Sequence, residues 1–209
     1  MTKVKICGIT NLEDALLSIE LGAHALGFNF YPRSPRYITV KTARAIVEEL
    51  PASILKVGVF VDAECETIEK TGGAVGFDAV QLHGSETPEF ARDLKADLGI
   101  EVIKAFGISS AFKPEDVMRF GVDAILFDAY SPKARGGTGE TFDWEIAKKV
   151  QEIFPKMYLA GGLSENNIAQ AIKTVQPFGV DACSRLEFEN GKKDKAKLEA
   201  FFERIRHAC

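Results

Sequence analysis

Cys7 carries more chemical information than any other residue of this sequence. It closes the apolar run Val4-Lys5-Ile6-Cys7, just before Gly8-Ile9-Thr10 and a helix start. A thiol there is a proton-accepting group at the carboxyl end of a strand, and the carboxyl ends of parallel strands are where α/β enzymes collect their chemistry. Taken alone, Cys7 fits a small buried hydrophobe better, the commonest setting of a free cysteine. Its company decides the matter. Other apolar runs also end in polar or glycine-rich segments: Gln81-Leu82-His83-Gly84, Phe127-Asp128-Ala129, Ala160-Gly161-Gly162-Leu163-Ser164 and Asp181-Ala182-Cys183-Ser184-Arg185. A loop braced by two prolines, Tyr31-Pro32-Arg33-Ser34-Pro35-Arg36-Tyr37, brings arginine to the same set.

The elements that must position these residues are legible as alternating strand and helix signals. Apolar, β-rich runs begin near Val4, Ala25, Leu55, Ala79, Val102, Ala124, Tyr158 and Gly179, at intervals of roughly 20 to 35 residues. Between them lie amphipathic stretches: Asn11 to Leu21, Thr42 to Leu50, Pro88 to Leu98, Trp144 to Ile153 and Glu165 to Lys173. Thr10 with Glu13 three residues on reads as a capping box, and Thr87-Pro88 as a cap followed by proline in the first turn. A third helix, Glu64 to Thr71, runs into Gly72-Gly73 and is the weakest; a last one spans Lys195 to Ile205. Glu187 to Asp194 reads as a solvated, charged turn before it. Eight buried strands alternating with helices point to a single-domain (β/α)8 barrel over residues 1–209, with the polar strand ends gathered at one mouth.

Composition bounds the partners. The 209 residues are 46% hydrophobic and 27% charged, ordinary for a folded domain, and the 15 phenylalanines suit core filling. With 26 basic against 30 acidic side chains the net charge is -4, so no global basic field attracts nucleic acid or an anionic membrane. Cys7, Cys65, Cys183 and Cys209 lie far apart with no histidine at ligand spacing, which suggests neither disulfide framework nor metal site. No apolar stretch reaches the ~18 residues of a spanning helix. A cytoplasmic protein acting on small molecules is the expectation. Among the strand ends, Gly161-Gly162 and Cys183-Ser184-Arg185 are candidates for a phosphate site, because small residues after strands seven and eight of a barrel present backbone N–H groups to an anion. A tight turn alone would also account for the glycine pair. Arg135-Gly136-Gly137-Thr138-Gly139 has the same dual reading.

As an ordered set, these segments resemble the phosphoribosylanthranilate isomerase family of tryptophan biosynthesis. The resemblance rests on Lys5-Ile6-Cys7-Gly8-Ile9-Thr10, Gly27-Phe28-Asn29-Phe30 with Ser34-Pro35-Arg36, Val57-Gly58-Val59-Phe60 and Val80-Gln81-Leu82-His83-Gly84. It continues through Leu126-Phe127-Asp128, Gly136-Gly137-Thr138-Gly139, Ala160-Gly161-Gly162-Leu163 and Gly179-Val180-Asp181, covering essentially the whole chain. It implies an Amadori rearrangement of N-(5-phosphoribosyl)anthranilate, a phosphorylated sugar, to an open-chain 1-deoxyribulose 5-phosphate. It further implies Cys7 as general base, Asp128 as general acid and Arg36 as the clamp on the anthranilate carboxylate. No cofactor is implied, and the chain is expected to act as a monomer or homodimer. His83 and Asp181 are weaker candidates for substrate contact, each equally readable as a structural side chain. Where the family commonly has Ser-Ser-Gly-Val-Glu, this chain has Cys183-Ser184-Arg185-Leu186-Glu187, so an arginine replaces a glycine beside the anion site.

The residues suit that chemistry. Ring opening needs a proton on the furanose oxygen, and the iminium so formed must lose its C2 proton, so one acid and one base suffice. Asp128 would have to be protonated and Cys7 at least partly ionised, although a free thiol near ~8.5 is only a few per cent thiolate at pH 7. Three other readings are open: a sister sugar isomerase of histidine biosynthesis, whose family has a carboxylate where Cys7 stands; a non-catalytic phosphate-ligand barrel; and a lyase or aldolase using Lys56 or Lys104 as a Schiff base.

Overall fold

The computed structural model describes residues 2–107, 112–128 and 144–208. Eight parallel strands close into a barrel in sequence order. They are β1 (Lys3–Cys7), β2 (Ala25–Asn29), β3 (Leu55–Phe60), β4 (Ala79–Leu82), β5 (Glu101–Gly107), β6 (Ala124–Asp128), β7 (Met157–Ala160) and β8 (Gly179–Ala182). Around them run α1 (Leu12–Leu21), α2 (Val40–Val47), α3 (Cys65–Val75), α4 (Pro88–Leu98), α5 (Trp144–Ile153), α6 (Ile168–Val175) and α7 (Lys195–Ala208). A (β/α)8 barrel is the architecture the alternation of signals predicts, and each strand starts within a residue of its expected place.

Strand side chains alternate between two apolar layers because their period is two. Val4 and Ile6 of β1, Ile125 and Phe127 of β6, and Val180 and Ala182 of β8 face the helices and join the larger core. Val57, Ala79, Ile103, Ala124, Leu126, Tyr158 and Ala160 fill the barrel interior. The parity carries over to the polar residues. Lys5 and Cys7, Asp128, and Asp181 occupy inward positions of their strands, and Cys183 continues the inward parity of β8. Glycine makes room for two of them: a Cβ on Gly27, the register partner of Cys7, would sit 2.7 Å from Cys7 Sγ and 3.1 Å from Lys5 Nζ.

Four local expectations are corrected. The N-cap of α1 is Asn11, whose side chain accepts from the Asp14 N–H at 2.8 Å; the Thr10 hydroxyl instead donates to the Gly191 carbonyl. Helix α3 continues through Gly72-Gly73 to a left-handed Gly76, since Ile68, Thr71 and Val75 bury one face of it. Between β5 and β6 the described residues hold a 3-10 helix, Pro114–Phe120, in place of an α-helix. The stretch read as a solvated turn is a hairpin of β9 (Glu187–Glu189) and β10 (Lys192–Lys193), entered through the short 3-10 turn Ser184–Leu186. Its Glu187 and Lys193 are buried. They face each other as an ion pair, and that pairing is what lets charged residues leave solvent.

Candidate active site

All ten residues singled out from the sequence line one cavity of about 230 Å³ at the carboxyl ends of the strands. Cys7 enters from β1, Arg36 from the β2–α2 loop, His83 from the end of β4 and Asp128 from β6. Gly161 and Gly162 follow β7; Asp181, Cys183, Ser184 and Arg185 come from β8 and the turn after it. Asn29 and Ser34 join them. The loop Arg135–Gly139 lies outside the described residues.

The floor beneath Cys7 is charged. Lys5 is fully buried, with its Nζ 2.8 Å from Asp181 Oδ1. The contact follows from the β1–β8 register, which sets Lys5 opposite Asp181 on the inward face. Burial pulls the Lys5 pKa down, but the Asp181 carboxylate and the Cys7 sulfur outweigh it and hold the ammonium charged. Asp181, readable from sequence as a substrate contact or as a structural side chain, is therefore one half of a buried ion pair as well as part of the cavity wall.

Cys7 is the more acidic for this setting. Its pKa is lowered to about 7, first by a hydrogen bond from the Cys183 thiol and then by the Lys5 and Lys193 ammonium groups, against burial and the Asp181 charge. The lowered pKa makes more of the thiol ionised at neutral pH than the few per cent of an unperturbed cysteine. The same hydrogen bond, with burial, pushes the Cys183 thiol well above its ordinary range. Lys193 reaches in from the hairpin: its Nζ donates to the Cys7 carbonyl at 2.7 Å, the Cys183 carbonyl at 3.4 Å and Glu187 Oε1 at 3.0 Å. One ammonium thus ties the ends of β1 and β8 together.

Arg36 is held on its inner side. Its Nε lies 2.9 and 3.0 Å from the two carboxylate oxygens of Glu187, and Nη2 lies 2.6 Å from Oε2. Burial would raise the Glu187 pKa, but Arg36 and Lys193 keep it below the usual carboxylate range, so the forked pair is charged on both sides. His83 is open to the cavity, with Nδ1 2.8 Å from Gln81 Nε2. The surrounding protein lowers its pKa, chiefly by desolvation, so the ring is neutral at pH 7. Asp128 is half-buried, three strands round the barrel from Cys7.

At the β7 end the backbone takes conformations that glycine alone adopts easily. Gly161 and Gly162 have φ of 102° and 65°, conformations that a side chain would strain. Ser184 and Arg185 are exposed at the rim, so the arginine that replaces glycine projects toward solvent without filling the cavity.

The lysines considered for Schiff-base chemistry face elsewhere. Lys56 and Lys104 sit at outward positions of β3 and β5. Lys56 pairs with Asp78 at 2.8 Å. Lys104 is buried against Glu86 at 3.1 Å and donates to the Gly84 carbonyl at 2.8 Å. A compact group of possible metal ligands, Cys65, Glu69 and Asp97, lies on the outer helices and shares no residue with the cavity. Sequence reasoning missed Lys5, Glu187 and Lys193. For Lys5 a signal existed, since it precedes Cys7 by two residues and must share its face of the strand; for the hairpin pair there was none short of the tertiary fold.

A (β/α)8 barrel that gathers a thiol, a carboxyl group and an arginine in one cavity at the carboxyl ends of its strands has the architecture of a barrel enzyme. The family model described as N-(5'-phosphoribosyl)anthranilate (PRA) isomerase matches residues 4–204. The chain belongs to that family. It is 46% identical over 203 residues to the N-(5'-phosphoribosyl)anthranilate isomerase of Geobacter sp. (strain M21), covering 96% of each chain. A phosphoribosyl anthranilate isomerase crystallised with reduced 1-(o-carboxyphenylamino)-1-deoxyribulose 5-phosphate superposes with a TM-score of 0.88 at 42% identity, over 99% of this chain and 100% of that one. Monomers generated from the dimeric isomerase of Thermotoga maritima superpose with a TM-score of 0.84 at 40% identity, over 99% and 100% of the two chains.

Proposed function

We propose that this chain rearranges N-(5'-phosphoribosyl)anthranilate to 1-(2-carboxyphenylamino)-1-deoxyribulose 5-phosphate, a step of tryptophan biosynthesis, with the whole barrel serving as one catalytic unit. The observation that carries this reading is that Cys7 and Asp128 face one cavity at the carboxyl ends of the strands, with the buried Lys5 ammonium beside the thiol. In the first step Asp128 gives its proton to the ribose ring oxygen, the C1–O bond breaks and the anilino nitrogen stabilises the iminium. The Cys7 thiolate then removes the C2 proton to give an enolamine, which tautomerises to the ketose. The proton lost by Asp128 and the proton gained by Cys7 balance over the cycle, so no nucleotide or metal enters the scheme.

Arg36, whose Nε and Nη2 are held by Glu187, meets the anthranilate carboxylate with its remaining guanidinium N–H groups. The phosphate is held by backbone N–H groups around Gly161, Gly162 and Ser184, with Arg185 at the rim. His83 and Asp181 complete the wall facing the ribose. Free thiols at Cys7, Cys65 and Cys183 support a reducing, cytoplasmic setting. No helix among the described residues is long and apolar enough to cross a membrane. As a monomer or homodimer, the protein would work on a diffusible substrate and not on nucleic acid. Loss of phosphoribosylanthranilate fluorescence on adding the purified protein tests the assignment, and an unchanged signal would sink it.

A further inference from the structure

Cys183 is a nucleophilic side chain that the reaction does not consume, and it lies beside the one that the reaction needs. The last registered pair of β1 and β8 is Ile6 with Ala182, so Cys7 and Cys183 each stand one residue beyond it. Both are two residues past the inward-facing pair Lys5 and Asp181, and a period of two therefore turns both thiols into the cavity. Neighbouring strands lie about 4.8 Å apart, inside the ~4.4–6.8 Å Cα separation that a disulfide spans. Both thiols line the same cavity, and both are free.

From this placement we propose that Cys7 and Cys183 are a redox modification site, joined as a reversible disulfide when the protein meets hydrogen peroxide. The Cys7 thiolate attacks one peroxide oxygen; the O–O bond breaks, the departing oxygen leaves as water once protonated, and Cys7 becomes a sulfenic acid. Cys183 then attacks the Cys7 sulfur, displacing the sulfenic oxygen, which takes the Cys183 proton and leaves as a second water. An S–S bond has replaced two S–H groups, and the two electrons have reduced the peroxide.

The surroundings favour both halves of the sequence. Lys5 and Lys193 support the attacking Cys7 thiolate. Cys183 resists ionisation because the neighbouring Cys7 sulfur, burial and the Glu187 carboxylate all disfavour its charge, so oxidising Cys7 to an uncharged sulfenic acid relieves the first of these. Lys193 Nζ, 3.9 Å from Cys183 Sγ, then favours the resolving thiolate, while Glu187 Oε1 at 3.8 Å opposes it and offers a place for the proton. A disulfide would withdraw the Cys7 base, a consequence that rests on the function proposed above; formation of the bond does not.

The test is peptide mapping of the intact, purified protein after brief hydrogen peroxide treatment and capping of free thiols, with isomerase activity followed in parallel. The expected product is a Cys7–Cys183 linked peptide that has lost two hydrogens, with activity falling as it accumulates and returning on addition of dithiothreitol. In Cys183→Ser the same exposure should carry Cys7 on to the sulfinic acid, which dithiothreitol does not reverse. Sulfinic Cys7 without a linked peptide in the unsubstituted protein, or a linkage through Cys65 or Cys209 instead, would overturn the proposal. A Cys7–Cys183 bond in a fully active protein would leave the modification site standing and remove Cys7 from its role as base.

Discussion

Lys5 Nζ lies 2.8 Å from Asp181 Oδ1 in a fully buried ion pair, one inward position below Cys7 on β1 and below Cys183 after β8. The pair gives the thiol an adjacent ammonium without leaving an unbalanced charge in the barrel. Replacing Lys5 by Met removes an attraction that lowers the Cys7 pKa and leaves Asp181, which raises it, without its ion-pair partner. Activity carried by the thiolate rises with pH through the Cys7 pKa, so the acid limb of kcat/KM, expected at about 7 in the parent protein, should move upward in Lys5→Met. Removing one member of a buried pair should also cost about 3–5 kcal/mol of stability, measurable by denaturant unfolding. A limb that stays in place, with stability lost, would assign the pair a structural role only.

Arg36 donates to Glu187 through Nε and Nη2, so the loop carrying it is locked to the β9–β10 hairpin. Arg36→Met should weaken binding of anthranilate-bearing ligands by about 1.5–3 kcal/mol, the range for a charged hydrogen bond, and change inorganic phosphate binding little. Titration calorimetry with both ligands checks this. Equal losses for the two would place Arg36 outside the carboxylate subsite.

Arg185 is exposed at the cavity rim, where water and salt screen its charge. Arg185→Gly should therefore raise KM by less than about tenfold at low salt, with a smaller effect in high salt, and leave kcat nearly unchanged because phosphate is bound alike in ground and transition states. A collapse of kcat in this variant would mean that the arginine shapes the reacting end of the cavity.

The eight strands were legible because each is buried on both faces and reads as a short apolar run between turn residues, and Cys7 and Asp128 were visible as polar side chains ending such runs. What escaped depends on pairing between distant segments. Glu187 and Lys193 look solvated in sequence because isolated charges usually are; they are buried because they face each other, Arg36 and the Cys7 carbonyl. Thr10 and Asn11 both suit an N-cap, and only the position of Gly191 takes the threonine hydroxyl away. The lowered Cys7 pKa was likewise invisible, since Cys183 is 176 residues away in the chain and adjacent only after β8 closes on β1.

Turnover by single-site variants tests the central claim, that Cys7 and Asp128 divide the acid–base work, most directly. The measurement is kcat from the fluorescence-monitored consumption of phosphoribosylanthranilate by the parent protein, Cys7→Ser and Asp128→Asn, each checked for retained fold and ligand binding. Positioned acid or base groups contribute about 100- to 10,000-fold, so each variant should lose at least ~100-fold in kcat with ligand affinity largely kept. Near-parental turnover in either variant would contradict the assignment of that residue.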